Sequence, residues 1–369
     1  MNKLIYDVKR KALNIFFHFD RYLLLFVFFL IVTLPSVFLN VSLDASHELK
    51  ENRTLEPFPR ASLFYFQKLE KWYLDHFGGR ADLIYLGARI QMNTLGIPAN
   101  RQVLVGRDQW LFYDQHYKSG RSYFSDYRGL DHWTPQQLET IKGNLKETNR
   151  HLKRCGINFY LVFAPDKQTI YSDKMPFAKR STGHSKLDYL IKYLEQESDL
   201  KILDLRKTLS NARQIESHPL YYKTDTHWNS LGAFYAAQTM LYMMRLDGLE
   251  INQLRRDEWT VKAEPFDGGD IALSMLSLPK YFSDEKLEMK RINISSEKKT
   301  VNMLLYGDSF ADAMTDFLDG VMGEVALVKR VSVDGKDIEK HKPEVVVIEV
   351  LERLLAGLLT APTGLGACH

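Results

Sequence analysis

The sequence has little of what marks several large classes of protein. Only two of its 369 residues are cysteine, which is too few for a scaffold built on disulfides, and the two are not at zinc-ligand spacing. It contains no glycine-rich phosphate-binding loop and no repeat of 20–50 residues. Because 45% of its residues are hydrophobic and glycine and proline occur at ordinary frequency, disordered and collagen-like chains are also excluded.

The two cysteines leave one local question open. Cys155 lies between a helical pattern and a strand pattern, a position that favours a buried free thiol. A bridge between Cys155 and Cys368 is the alternative, and the spacing of the two does not decide between them.

The positive charge is confined to one end of the chain. The formal net charge is +3, and residues 1–21 carry five basic and two acidic side chains, which accounts for all of it. The rest of the chain is balanced. A basic surface for nucleic acid therefore has no support, and we expect no nucleic-acid partner.

A long uncharged stretch follows the basic tail. Residues 22–43 contain no charged side chain, and at about 1.5 Å per residue a helix of this length crosses a bilayer core of roughly 30 Å. The basic flank before it predicts a cytoplasmic tail over residues 1–21, a transmembrane anchor over 22–43 and an exported remainder. A cleaved signal peptide is the alternative, although the apolar stretch exceeds the usual signal-peptide core.

The exported part divides into two regions. Residues 44–100 read as a proline-bearing connector followed by two helices, and residues 101–369 as the main domain. Apolar runs there alternate with helical patterns, which predicts an α/β domain with a mainly parallel sheet and helices on both faces. The strands are expected near residues 157–164, 202–205, 301–306, 325–328 and 345–350, and residues 250–300 are expected to be an irregular insertion or lid.

A serine stands where such a sheet binds ligands. Ser309 follows the strand ending at Tyr306 and precedes a helix, so it lies at the carboxyl edge of the sheet. The N–H groups of a helix start can stabilise an oxyanion there. Ser309 could then be a nucleophile, or it could simply cap the helix.

A base for this serine is available earlier in the chain. Asp225 and His227 are two residues apart, so in extended backbone they project to the same side, where Asp225 could orient His227 towards Ser309. A structural His–Asp pair is the alternative. We expect no metal, because no further ligand motif accompanies the pair.

These residues resemble a known family. Gly307-Asp308-Ser309 after a strand resembles the nucleophile block of SGNH hydrolases, but here the Asp–His pair precedes the serine. That order is similar to the alginate O-acetyltransferase (AlgJ/AlgX-like) family, a permuted SGNH-hydrolase-like fold. The other matching segments are Glu51–Leu55, Pro57–Pro59, Gly106–Tyr113, Pro165–Lys167 and Val346–Arg353.

The resemblance implies a fold and a set of roles. The fold is a three-layer α/β/α SGNH-hydrolase-like domain behind one transmembrane helix. Ser309 is the acetyl-accepting nucleophile, His227 the general base and acid, and Asp225 its orienting carboxylate. Phe310 departs from the family, which often has tyrosine after the serine, and only the Ser309 N–H is identifiable in the oxyanion hole.

Three further residues are candidates for substrate binding or charge stabilisation. Lys167 and Arg353 follow predicted strands, so they are expected at the same edge as Ser309, where they could hold an anionic sugar or form structural ion pairs. Trp228, next to the histidine, is the third candidate.

The resulting function is an expectation with alternatives. The resemblance implies a single-pass protein of the bacterial inner membrane whose periplasmic domain acetylates an exported polysaccharide. The acetyl donor would be an integral-membrane acyltransferase, and no cofactor is expected. A carbohydrate or acyl esterase with the same triad, or a non-catalytic scaffold of an export complex, remains open from the residues.

Overall fold

The computed structural model of the protein describes residues 22–30, 33, 54–115, 122–177, 184–292, 301–319 and 321–366. These residues fall into two compact units. One comprises the described residues up to 99 together with 273–278, and the other the described residues of 100–272 and 279–369.

The first unit contains two well-defined helices. Helix α1 is Tyr65–His76 and helix α2 is Arg80–Leu95, close to the predicted pair. Gly79 and Gly96 flank α2 in the left-handed backbone conformation, which glycine adopts without steric cost.

The predicted membrane span lies mostly outside the described residues. Residues 22–30 are helical, whereas residues 1–21, 31–32 and 34–43 are not among those described. Within the part of the chain that the structure does describe, no helix combines the length and the apolar character needed to cross a bilayer.

The second unit is built on a five-stranded sheet. Its strands are β3 (Asn158–Ala164), β4 (Ile202–Asp204), β7 (Met303–Tyr306), β8 (Val325–Val328) and β9 (Val345–Leu351), in the order β4-β3-β9-β7-β8. Every neighbouring pair in this sheet is parallel. Strand β9 therefore lies at the centre, with β3 and β7 on either side, and the prediction of a mainly parallel sheet is confirmed.

Helices cover both faces of the sheet. They are α3 (Tyr123–Tyr127), α4 (Pro135–Arg154), α5 (Lys167–Ile170), α6 (Lys186–Glu197), α7 (Leu205–Ile215), α8 (Ser230–Leu246), α9 (Ser309–Leu318) and α10 (Gly335–His341). Alternate residues of β3 enter two separate cores: Tyr160 and Val162 pack with α7, α8 and α9, and Phe159, Leu161 and Phe163 pack with α4 and α6. The result is the three-layer arrangement expected from the sequence.

The start of α4 shows how local sequence sets an element. The Thr134 side chain accepts from the Gln137 N–H, and the Gln137 side chain accepts from the Thr134 N–H. Pro135 occupies the first helical position, where its missing N–H costs nothing. Thr134 and Gln137 therefore form a capping box at the start of α4.

Two antiparallel ladders lie outside the main sheet. One is the hairpin of β1 (Val103–Val105) and β2 (Leu111–Tyr113). The region expected to be irregular instead contains β5 (Trp259–Phe266) paired with β6 (Asp284–Arg291) along all eight residues. The expectation of an irregular segment was wrong, because six of the eight residues of β6 are charged and leave no apolar run to reveal a strand.

Helix α7 was also absent from the sequence prediction. Leu205, assigned to a strand by its apolar neighbours, is the first residue of this helix. The strand ends at Asp204 because its side chain caps the helix, accepting from the Arg206 N–H at 3.0 Å.

Cys155 ends α4, and its surroundings differ from those expected. The residue is only half-buried and takes part in a disulfide bond. The prediction of a buried free thiol is therefore wrong, since the end of a surface helix leaves the sulfur accessible to a second cysteine. The bond's partner is not among the described residues.

Candidate active site

Ser309 lies at the first position of α9, directly after the turn that leaves β7. The residue that caps this helix is Asp308, whose carboxylate accepts from the Phe310 N–H at 2.8 Å. The capping alternative for Ser309 is therefore wrong, and its hydroxyl is exposed and free of a structural role in the helix. Gly307 permits the tight turn, because an added Cβ would lie 2.7 Å from a Glu349 carboxylate oxygen.

His227 and Asp225 meet Ser309 in one hydrogen-bonded chain. The Nε2 of His227 lies 2.7 Å from the Ser309 Oγ, and its Nδ1 lies 2.6 Å from the Asp225 Oδ1. Asp225 also accepts from the His227 backbone N–H at 3.0 Å, so both residues keep one fixed relation. The arrangement has the geometry that a serine nucleophile, a base and an orienting carboxylate require.

Burial and neighbouring charges shift the pKa values of His227 and Asp225. Burial of the His227 ring acts to lower its pKa, but the hydrogen bond and charge of Asp225, with the charge of Asp270, outweigh it and raise the pKa of His227. Burial acts to raise the pKa of Asp225, but its bonds to His227 and to the Asp270 N–H hold that pKa well below its usual range. Asp225 therefore stays ionised, and His227 is a stronger base than a free imidazole.

A glycine-rich turn supports Asp225 from behind. The Asp270 N–H donates to the Asp225 Oδ2 at 2.8 Å, and the Asp270 carboxylate accepts from the Thr226 N–H and hydroxyl at 2.7 and 2.6 Å. A Cβ added at Gly269 would lie 2.2 Å from the Asp225 Cβ. Only a glycine lets the two backbone segments approach this closely.

The loop before His227 is anchored to β6. Thr224 is fully buried, and its N–H and hydroxyl donate to the Asp284 carboxylate at 2.9 and 2.6 Å. Its hydroxyl oxygen also accepts from the Gly269 N–H at 2.8 Å. The β5–β6 hairpin that the sequence pattern concealed thus helps to fix the loop that carries Asp225 and His227.

The same side chains form a group that could hold a metal ion. Asp225, His227 and Asp270 each offer a ligand atom, all within 4.8 Å of one another. Two ligands of one tetrahedral zinc ion lie about 3.3 Å apart, whereas the His227 Nδ1 and Asp225 Oδ1 are separated by 2.6 Å. That is the length of a charge-assisted hydrogen bond, so the side chains are arranged to share a proton.

Lys167 lies beneath the loop and is buried, with 3% of its surface exposed. Its ammonium donates to the backbone carbonyls of Tyr222, Lys223 and Asp225, at 3.2, 3.1 and 2.6 Å. Burial lowers the pKa of Lys167 to about 8, against the raising effect of nearby carboxylates. The ammonium is turned towards the loop backbone, which favours the structural alternative for Lys167 over a direct contact with substrate.

Arg353 is at the sheet edge as predicted, paired with the buried carboxylate of Asp166. Its guanidinium also lies 5.7 Å from the centroid of the Phe310 ring, beside Ser309. Charge from Arg353 reaches His227, whose pKa it acts to lower. The main contact of Arg353 is thus a structural ion pair with Asp166, which was the alternative to substrate binding.

Trp228 does not line a surface. It is 2% exposed, and its ring packs 4.8 Å from that of Phe310. Phe310 in turn lies 5.3 Å from the His227 ring. The prediction of Trp228 as a substrate contact is wrong: an aromatic residue here forms the apolar support under the imidazole.

Glu349 is a buried acid beneath the serine turn. This residue of β9 has no exposed surface, and one carboxylate oxygen accepts from the Asp308 N–H at 3.3 Å. The other oxygen has no hydrogen-bond partner among the described residues. Burial, reinforced by the charge of Asp308, raises the pKa of Glu349 well above its usual range, so the fold favours the neutral form of this carboxyl.

Substituting Glu349→Gln should therefore raise stability more at neutral than at acid pH. A carboxyl with a raised folded pKa favours the native state below its unfolded value, about 4.3, and loses that contribution as pH rises towards the folded value. We expect the thermal midpoint of the variant to exceed that of the wild type by roughly 2–6 °C at pH 7.5 and by much less at pH 5. A difference that is equal at the two pH values would contradict a raised pKa of Glu349.

Several of these residues escaped the sequence analysis. Gly269, Asp270, Asp284 and Glu349 lie more than 35 residues along the chain from the residues they support. The adjacent glycines 268 and 269 before an acid were the one local sign of a close backbone approach. Glu349 stood in an apolar strand as the only charged residue, which was the sign of a buried acid.

The sequence is similar to that of a known protein family. Residues 103–319, more than half of the chain, match the family described as the SGNH hydrolase-like domain of the acetyltransferase AlgX. A "Probable alginate O-acetylase AlgJ" of Pseudomonas aeruginosa is 28% identical over 140 residues, 37% of this chain and 32% of the relative. The similarity thus spans about a third of that relative's length.

Solved structures also match this chain. PatB1 of Bacillus cereus superposes with a TM-score of 0.51 at 15% identity, covering 70% of this chain and 98% of PatB1. The O-acetyltransferase domain of Pseudomonas putida AlgJ gives 0.48 at 19% identity, covering 70% and 93%. With the match over residues 103–319, this chain belongs to the AlgX-type family of SGNH hydrolase-like acetyltransferases.

Proposed function

We propose that this protein is a membrane-anchored O-acetyltransferase that carries an acetyl group on Ser309 and passes it to a hydroxyl of an exported polysaccharide. The observation that carries the proposal is the hydrogen-bonded chain from an exposed Ser309 through His227 to Asp225, with contacts of 2.7 and 2.6 Å. It occurs within the segment that matches an acetyltransferase family. A non-catalytic scaffold would not need this contact to be maintained.

In the first half-reaction the Ser309 Oγ attacks the carbonyl carbon of the donor's acetyl group, and its proton passes to the His227 Nε2. The carbon–donor bond then breaks, and the donor leaves with that proton. Asp225, held ionised, keeps the Nδ1 protonated and stabilises the imidazolium that forms. The Ser309 N–H at the start of α9 faces the developing oxyanion in this scheme.

In the second half-reaction a sugar hydroxyl attacks the acetyl carbonyl of acetyl-Ser309. Its proton goes to the His227 Nε2 and then to the departing Ser309 Oγ, which restores the free enzyme. Water in place of the sugar would give an esterase with identical residues. The choice between them depends on which acceptor reaches Ser309.

The proposed location follows from the charge pattern. A basic tail over residues 1–21, an uncharged stretch over 22–43 and a balanced remainder favour a single-pass protein of the bacterial inner membrane with the catalytic unit in the periplasm. An integral-membrane acyltransferase is then a suitable donor, because acetyl groups made in the cytoplasm must cross the bilayer. Pseudomonas AlgJ, named as a probable alginate O-acetylase, supports a polysaccharide acceptor.

The test is to trap the intermediate. The purified full chain is mixed with a chromogenic acetyl ester, quenched in acid, digested and analysed by mass spectrometry, and we expect one acetyl group on the peptide that contains Ser309. An oligosaccharide acceptor should shorten the lifetime of that adduct and become acetylated. Rapid release of free acetate at a rate that the acceptor does not change would indicate an esterase, and an unmodified Ser309 would contradict both enzymes.

A further inference from the structure

Beside the pair of His227 and Asp225 lies a second carboxylate. The Oδ2 of Asp270 is 3.9 Å from the His227 Nδ1, and about a third of each of these two side chains is exposed. Asp270 comes from the turn between β5 and β6, so its place beside the imidazole is set by a different part of the chain from Asp225.

The hydrogen bonds of Asp270 fix the orientation of its carboxylate. The Thr226 N–H and hydroxyl both donate to it, at 2.7 and 2.6 Å, and the Thr226 hydroxyl oxygen lies 3.3 Å from the His227 Nδ1. Its own N–H is bonded to Asp225. One residue thus binds Asp225 through its backbone and faces His227 with its charge.

We propose that Asp270 is a second charge-positioning residue for His227, and that its carboxylate stabilises the imidazolium formed when Ser309 gives up its proton. The inference rests on the proposed function, since it assigns His227 the role of base. The negative charge favours the protonated ring, so it strengthens the base and lowers the energy of the charged intermediate.

Several other charged or titratable groups face His227 and Asp270, and they contribute to any titration of His227. His227 faces Asp225, Asp270, Arg353 and the Ser309 hydroxyl. Asp270 also acts on Tyr113 of β2 and Lys167 of α5. Burial and the charge of Asp225 raise the pKa of Asp270, and the ionised carboxylate is the form that acts on His227.

The experiment measures His227 without the natural substrate. A sulfonyl fluoride reacts with an activated serine: an Oγ–S bond forms, the S–F bond breaks, fluoride leaves, and the proton passes to His227. The rate of this modification of the full chain, followed by mass spectrometry from pH 5 to 9, reports the pKa of the base.

On the acid limb of this profile the rate rises with pH as His227 loses its proton. In Asp270→Asn we expect this limb to move to lower pH by about one unit, because the lost negative charge had favoured the protonated ring. The shift is no larger because the two side chains are partly exposed. The plateau rate should fall as well, since the base is weaker. The matched control Asp267→Asn removes an exposed carboxylate of the same turn, one paired only with Lys280 at 3.6 Å among its described contacts, and should leave the limb in place.

Thr226→Val separates charge from hydrogen bonding, because it removes the hydroxyl but keeps the Asp270 carboxylate. We expect it to change the plateau and leave the limb unmoved. A limb that stays in place in Asp270→Asn would overturn the inference, and so would modification that requires an added metal ion. A wild type whose Ser309 does not react at all would count instead against the proposed function.

Discussion

Replacing Ser309 with alanine should abolish acetylation of the exported polymer while the protein accumulates at its normal level. The Oγ is the atom proposed to carry the acetyl group, and nothing else in the turn can take its place. Removing the nucleophile of such a triad lowers the rate by about four to six orders of magnitude.

The fold should tolerate this change. Ser309 is exposed, and its helix is capped by Asp308, so the lost hydroxyl leaves no buried group unpaired. The measurement is the acetyl content of the polymer made by cells that carry the variant, with Ser210→Ala on α7 as a matched control. Both variants should remain in the membrane fraction, as the proposed anchor requires.

Normal acetylation in the Ser309→Ala strain would end the proposal of a covalent intermediate. Loss of acetylation together with loss of the protein would point to instability. The acetyl-ester assay on the purified variant would then decide whether Ser309 is needed for the chemistry. A wild-type chain recovered in the soluble fraction would count against the anchor and not against the chemistry.

Gly269→Ala should also lower the rate of acetyl transfer strongly, although less than Ser309→Ala, because Gly269 has no side chain and takes no part in the proposed chemistry. The added Cβ would lie 2.2 Å from the Asp225 Cβ and 2.4 Å from its Oδ2, closer than any real contact, so one of the two segments must move. A displacement of about 1 Å at Asp225 would turn its carboxylate away from His227. We expect this to lower the rate of acetyl transfer about a hundredfold.

The expected signature of Gly269→Ala is a lower maximal rate of acetyl transfer with acceptor binding retained. Gly143→Ala in α4 is the matched control, because no atom lies within 4 Å of a Cβ added there and alanine favours a helix. It should be as active as the wild type. Full activity in Gly269→Ala would mean that the position of Asp225 is not fixed by this turn.

Much of the fold could be predicted because its signals are local. The capping box at Thr134 and the buried apolar runs of β3, β7 and β9 each lie within a few consecutive residues. The link between Asp225 and His227 was equally local, since residues two apart in extended backbone share a side. Ser309 could be added because the ends of parallel strands meet at one edge.

What could not be predicted depends on contacts between distant segments. Asp270 meets Thr226 across 44 residues, and Thr224 meets Asp284 across 60, through a hairpin whose charged strands carry no apolar pattern. The burial of Lys167 and Trp228 was missed for a related reason. A charged or aromatic residue next to a catalytic motif can face the ligand or support the loop from below, and spacing alone does not tell the two apart.

The central position of β9 has a consequence for the order in which the protein matures. Among the five strands of the main sheet it is made last, yet both β3 and β7 pair with it. Until β9 is synthesised, the sheet can exist only as two separate strand pairs, one leading to Lys167 and the other to Ser309. Such long-range pairing is slow to form. A nascent chain therefore lacks the assembled sheet edge at which Ser309 meets His227, and the proposed acetyl transfer can begin only after the domain is essentially whole.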